Sequence, residues 1–124
     1  MNENQAIKFD KIEYRLNSIY VEFDKLSKKK PDSVINTYKL KQINDLFREA
    51  NNLFDEGNIS IEKLSLFDDT ELPSYSDVVI VLTQYLEVLD YFRYRHTFLE
   101  YGSHYWILDN DKKLETKRSK YALK

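Results

Sequence analysis

The apolar positions of this chain fall into three helical stripes. Phe9, Ile12, Leu16, Ile19, Phe23 and Leu26 step by three and four residues, which puts them on one face of a helix from about Ala6 to Lys29. Polar residues fill the gaps, as in a bundle helix with one buried side. Pro31 disfavours helical geometry at Lys30, and Lys28 to Lys30 complement the negative end of the helix dipole, so the helix stops there. Asp32 or Ser33 can cap a second helix running to about Glu56, with Ile43, Leu46, Phe47, Ala50, Leu53 and Phe54 as its stripe. Gly57 then supplies the left-handed residue that commonly follows a helix end. Ser60 can cap a short turn holding Ile61, Leu64 and Leu66, and "FDDTELPSYSD" reads as a loop that seals one end of the molecule.

A third helix begins after Pro73, with Ser74 or Ser76 as its cap. Its opening, "DVVIVL", would pass for a strand in isolation. The stripe continues through Leu82, Tyr85, Leu86, Leu89 and Phe92 to Phe98 or Leu99, too long for one strand, so helix is expected. Being apolar on all sides at its start, it is expected to be the central helix. Gly102 and Ser103 mark a break or kink, and a fourth helix from about Asp109 would be anchored by Leu114, Tyr121 and Leu123. The expected fold class is all-α, an antiparallel up-and-down bundle of three long helices with a short or C-terminal fourth. One domain is expected over residues 1–108, followed by a basic tail or short helix over 109–124.

Composition sharpens this picture. Two glycines and two prolines in 124 residues are too few for the many turns of an all-β domain. With no cysteine there are no disulfides, no thiolate metal ligands and no thiol nucleophile. No stretch approaches the length of a membrane span, and the N-terminus "MNENQAIKFDKIEYRL" lacks the apolar run of a signal peptide, so a soluble cytoplasmic protein is expected. The net charge of -2 argues against a globally basic nucleic-acid binder. Its distribution is uneven: Asn44 to Glu71 is strongly acidic, and Asp111 to Lys124 is basic. The tail is therefore expected either to fold onto the acidic region or to meet an anionic partner.

The densest chemistry lies in "YFRYRHTFLEYGSHYW", Tyr91 to Trp106, which holds both histidines, the single tryptophan and two arginines. Glycine-rich phosphate loops are excluded by the placement of the two glycines, and no strand-turn-helix elbow presents a serine. His96, Glu100 and His104, spaced four and four, would share one face of a continuous helix and suit a metal. Gly102 interrupts that helix and no further acidic pair completes the shell, so no metal and no cofactor is expected. Phosphate chemistry fits better. Arginine stays cationic and holds phosphate oxygens bidentately, while histidine can move a proton at a ribose hydroxyl near neutral pH. Arg93, Arg95 and His96, with Tyr94 and Tyr101 to stack on bases, have the residue types of metal-free RNA cleavage. The plainer alternative is an aromatic-rich core helix whose Arg93 and Arg95 pair with helix two, for example at Asp45 or Glu49.

This segment resembles the HEPN superfamily, and especially its HepT-like branch. The family's third long helix follows the type "L-x-x-L-x-x-F-R-H-x-F-R-H-x-Y-G", and this chain has "YLEVLDYFRYRHTFLEYG", with the leucine spacing, Arg95-His96, Phe98 and Tyr101-Gly102 in common. The "LP" before helix three and "INDLFREANNLFDEGNI" echo the family more loosely. The resemblance covers Leu40 to Leu108 in outline and about ten residues specifically. It implies a helical bundle of toxin-antitoxin or defence type that acts on or binds RNA. In an active member Arg95 would hold phosphate, His96 or His104 would serve as acid or base, and Arg93, Tyr94 and Tyr101 would contact substrate. Glu100 stands where the family has its second histidine and Leu99 where it has a second basic residue. His104 lies nine positions after Arg95, on the opposite side of an ideal helix.

Activity in the family also requires a dimer. Tyr91, Tyr94, Tyr101, Tyr105 and Trp106 cannot all face one thin core, so a homodimer through this end of helix three is expected. A second functional expectation is a non-catalytic interaction protein, such as a phage- or plasmid-encoded inhibitor or immunity factor. Its acidic Asp45 to Glu71 stretch would dock on a basic surface.

Overall fold

A computed structural model describes residues 1–56, 67, 68 and 70–122. It contains three helices, α1 (Glu3–Lys29), α2 (Thr37–Glu56) and α3 (Tyr75–Arg95). They are followed by strands β1 (Thr97–Glu100), β2 (Ser103–Trp106) and β3 (Glu115–Thr116), which form one antiparallel sheet in the order β1-β2-β3. The three long helices are as expected. The all-α bundle is not: a small sheet stands where the end of the third helix and a fourth helix were expected. Gly57, the Ser60 turn and Leu123 lie outside the described residues.

Each helix start has a local chemical cause. Asn2 caps α1, its side chain accepting from the Gln5 amide (2.8 Å) while the Gln5 side chain accepts from the Asn2 amide (2.9 Å). This reciprocal box starts the helix three residues before Ala6. The expected caps of α2, Asp32 and Ser33, do not cap it. The chain stays extended there because Ile35 N–H donates to Pro73 O (3.0 Å) and Tyr75 N–H donates to Ser33 O (2.9 Å). Asn36 takes over the cap, accepting from the Lys39 amide at 2.8 Å. Ser74 caps α3, with Asp77 completing its box.

The end of α3 decides the rest of the fold. His96 N–H donates to both Phe92 O and Arg93 O, and the Thr97 hydroxyl donates to Arg93 O at 2.7 Å, closing the last turn. The chain then leaves as a β-hairpin, with Thr97 opposite Trp106, Phe98 opposite Tyr105, Leu99 opposite His104 and Glu100 opposite Ser103. Tyr101 (φ 50°) and Gly102 (φ 81°) form its two-residue turn, both in the left-handed region that matches strand twist. Gly102 is therefore a hairpin residue, not a helix kink. The break in the helix comes six residues before it, at His96. Beyond β2, Trp106 N–H donates to Leu114 O, and the segment expected to be a fourth helix supplies β3 instead.

The core is aromatic. Phe9 of α1 meets Phe92 of α3 at 5.2 Å and Trp106 of β2 edge-on at 5.0 Å, and Phe47 of α2 stacks on Tyr85 of α3 at 4.2 Å. All six stripe residues expected of helix two are buried, as are Phe9, Ile12, Leu16 and Phe23 of helix one. Of the five aromatics that cannot all face one core, Trp106 is 1% exposed and belongs to it, while Tyr91, Tyr94 and Tyr101 are exposed. Among the described residues no helix is long and apolar enough to cross a membrane.

Candidate nucleic-acid interface

Arg93 and Arg95 share the last turn of α3 and have opposite surroundings. Arg93 is 1% exposed. Its Nη1 donates to Glu13 Oε2 (2.5 Å), its Nη2 to Asp10 Oδ1 (2.8 Å) and its Nε to the Thr116 hydroxyl (3.2 Å). Thr116 in turn donates to Asp10 Oδ1 (3.0 Å), Trp106 Nε1 donates to Asp10 Oδ2 (3.1 Å), and Lys117 Nζ meets Glu13 Oε1 (2.7 Å). The guanidinium also lies over the rings of Phe9 (5.3 Å) and Trp106 (5.6 Å). Burial works against its charge, yet hydrogen bonds and charges from Glu13 and Asp10 outweigh that and hold its pKa above the ordinary value. This ion cluster joins α1, α3, β2, β3 and the segment after β3. Arg93 was expected among substrate contacts or paired with helix two, but its charge is satisfied by helix one. The acids named for that pairing are engaged elsewhere, Asp45 with Arg48 and Glu49 with Arg15.

Arg95 points to solvent, and its Nη1 reaches the Tyr91 hydroxyl at 3.5 Å. Tyr91 (45% exposed), Tyr94 (42%) and Tyr121 (41%) form a surface triad, with ring centroids 6.2, 5.5 and 6.0 Å apart. Tyr121 belongs to a strap after β3 that lies along α3. The Ser119 hydroxyl donates to Asp90 Oδ2 (3.1 Å), and so does the Lys120 amide (3.1 Å). The Tyr121 hydroxyl donates to Glu87 Oε2 (2.7 Å), and Lys120 Nζ pairs with Glu87 Oε1 while lying 5.2 Å over the Tyr121 ring. These bonds from Lys120 and Tyr121 lower the Glu87 pKa, and the Glu87 hydrogen bond raises those of Lys120 and Tyr121. Among the described residues the basic tail thus folds onto acids of α1 and α3, at Glu13, Glu87 and Asp90.

The remaining expected site residues do not converge. His96 stacks on Phe92 at 3.9 Å, with Nδ1 2.9 Å from Phe92 O. Ile107 N–H donates to His96 O, whereas His104 lies three residues back along the chain, roughly 10 Å at about 3.3 Å per residue. Tyr101, 96% exposed, projects from the hairpin tip. Glu100 faces the side of the sheet opposite His104, beside Tyr105 and paired with Lys113. The hairpin pairs His104 with Leu99 and so puts it on the face opposite Glu100, while His96 stands before β1 at the end of α3, so the three share no common face. Among the described residues no three His, Asp or Glu side chains are grouped to hold a metal.

No protein-family model, curated protein or solved structure matches this chain. Its surface chemistry therefore rests on its own residues. Three mutually supported tyrosines offer ring faces for stacking, Arg95 and Lys120 lie at their margin, and Arg118 is on the same strap. Sequence reading placed Lys120 and Tyr121 in a tail or fourth helix and missed their approach to Tyr91 and Tyr94. The signal present was "KRSKY", a cationic run ending in an aromatic residue.

Proposed function

We propose that the protein binds single-stranded RNA without cleaving it, using the Tyr91, Tyr94 and Tyr121 triad with Arg95 and Lys120. The observation that carries this reading is the triad itself, three half-exposed tyrosines in ring contact with cations at their edge. Every base has a π-face, so an aromatic platform stacks bases with little regard to sequence, while cations track the backbone. Tyrosines braced by each other lose little side-chain freedom on binding. The HEPN resemblance, carried by Arg95-His96, Phe98 and Tyr101-Gly102, points to RNA as the ligand and to a degenerate member of a toxin-antitoxin or defence system. Cleavage needs an arginine and a histidine on one phosphate. The burial of Arg93 in a complete ion cluster and the distance between His96 and His104 favour binding alone.

Fluorescence anisotropy with a labelled hexauridylate, in metal-free buffer, tests this reading. Saturable binding is expected, weakened more than about tenfold in the Tyr91→Ala, Tyr94→Ala double variant, with one to two stacked bases lost at about 1–3 kcal/mol each. The RNA should be recovered intact. Cleavage that disappears in His96→Ala would restore the catalytic reading. Absence of binding would remove the RNA role. If sedimentation then showed a dimer that the same double variant dissociates, the triad would be a homodimer interface.

A further inference from the structure

The face of the sheet that carries Trp106 also carries Leu99, His104 and Thr116, which pair across the three strands. At the hairpin end this face opens into a recess of about 410 Å³, lined by Leu99, His104, Thr116, Ser103, Glu115 and Arg118. The lining holds two cationic or ionisable nitrogen side chains without an ionic partner. Arg118 enters no ion pair among the described residues, and its Nη2 only donates to Ala122 O at 2.9 Å. The His104 ring and the Ser103 hydroxyl have no hydrogen-bond partner among the described residues, whereas the Thr116 hydroxyl is committed to Arg93 and Asp10. Ser103 pairs with Glu100 and Glu115 with Tyr105, so their side chains belong to the opposite face, and the donors left to this recess are the Arg118 guanidinium and the His104 imidazole, both suited to phosphate oxygens.

We infer that this recess is a phosphate subsite, and, resting on the proposed RNA-binding role, that it takes a phosphate of the strand stacked on the tyrosine triad. Arg118 connects the two places, since it lies three residues before Tyr121 and at most about 11 Å of chain separates them. Arg118 supplies the bidentate contact and His104 a second nitrogen donor. The nearby carboxylates, Glu115 and Glu100, belong to the other face of the sheet, and Glu100 is occupied by Lys113.

The test uses hexauridylates bearing a 5′-phosphate, a 3′-phosphate or neither, titrated into the full chain and its Arg118→Gln and His104→Gln variants. In parallel, inorganic phosphate is titrated while the His104 ring resonances are followed by NMR. Inorganic phosphate should shift those resonances saturably, and Arg118→Gln should abolish the shift. For a terminal phosphate, one phosphorylated oligomer should bind roughly tenfold tighter than the unphosphorylated one, the gain vanishing in Arg118→Gln. For an internal diester, all three oligomers should bind alike and Arg118→Gln should weaken each by a similar factor. Equal binding that neither variant alters, or no response of His104 to phosphate, overturns the inference while leaving RNA binding by the triad intact. A His104 response without binding of any oligomer keeps the recess as a phosphate site and removes the RNA reading instead.

Discussion

Arg93 and Arg95 are two positions apart on one helix, about 200° around its axis, and they divide the molecule's chemistry between them. Around Arg93 every charge has a partner inside the fold, and five segments of chain meet there. Around Arg95 the partners are tyrosines and solvent. Residue type alone therefore does not separate a cation built into the fold from one that faces solvent. What separates them is the helix face they occupy and the carboxylates that the neighbouring helix presents. Asp10 and Glu13 sit beside the Phe9 and Ile12 stripe of α1, so the core-facing arginine is the one that finds them.

The strongest separation of the two regions is expected from Arg93→Ala. It removes the guanidinium from the buried Glu13, which keeps only Lys117, and from the partly exposed Asp10, and breaking a buried pair by removing one partner costs about 3–5 kcal/mol. Urea denaturation should show a much lower midpoint, or an unfolded variant, and Trp106 fluorescence should report the loosened hydrogen bond to Asp10. A variant as stable as the parent would show that the cluster is not the link between sheet and helices.

A smaller effect is expected at the hairpin that carries the chain away from α3. Gly102 has φ 81°, and a Cβ added there would meet nothing within 4 Å, so the cost of a side chain is purely conformational. Gly102→Ala should lose about 1–2 kcal/mol in the same urea measurement. No loss would argue against the two-residue turn.

Smaller still, and local, is the response of the strap to acid. Glu87 has its folded pKa lowered by hydrogen bonds from Lys120 and Tyr121. Its contribution is therefore fully present above the ordinary glutamate value of about 4.3 and is lost as pH falls through the lower folded value. Amide exchange at Lys120 and Tyr121 should stay protected from neutral pH down to about that value and become fast below it. Glu87→Gln should remove this acid dependence. An acid dependence identical in Glu87→Gln and the parent would mean that the strap is held by Asp90 and packing alone.

The helices were legible because their stripes repeat over many turns and Pro31, Ser74 and Pro73 punctuate them. The hairpin was misread because Phe98 and Leu99 extend the α3 stripe by a further step and only two strands of four residues stand behind the alternative. The strand signal was nonetheless present: Tyr101-Gly102 separates two four-residue runs containing β-branched and aromatic residues, and glycine suits a turn position with positive φ. The site was half legible. Arg95 and Tyr94 lie in the surface patch, while Arg93 pairs across 80 residues with Glu13, a contact no local pattern encodes. Tyr121 joins the patch through Glu87, 34 residues earlier, which a reading of the tail as a solvated segment or helix could not anticipate.

That Arg95 serves binding while Arg93 serves the fold can be tested by the salt dependence of RNA affinity in Arg95→Gln. Affinity for a hexauridylate should fall, and the slope of log affinity against log salt should become shallower by about 0.7, the change expected when one phosphate fewer is neutralised on a single strand. The urea midpoint should match that of the parent. An unchanged affinity and slope in Arg95→Gln, or a fall in stability comparable to that of Arg93→Ala, would contradict the division of roles.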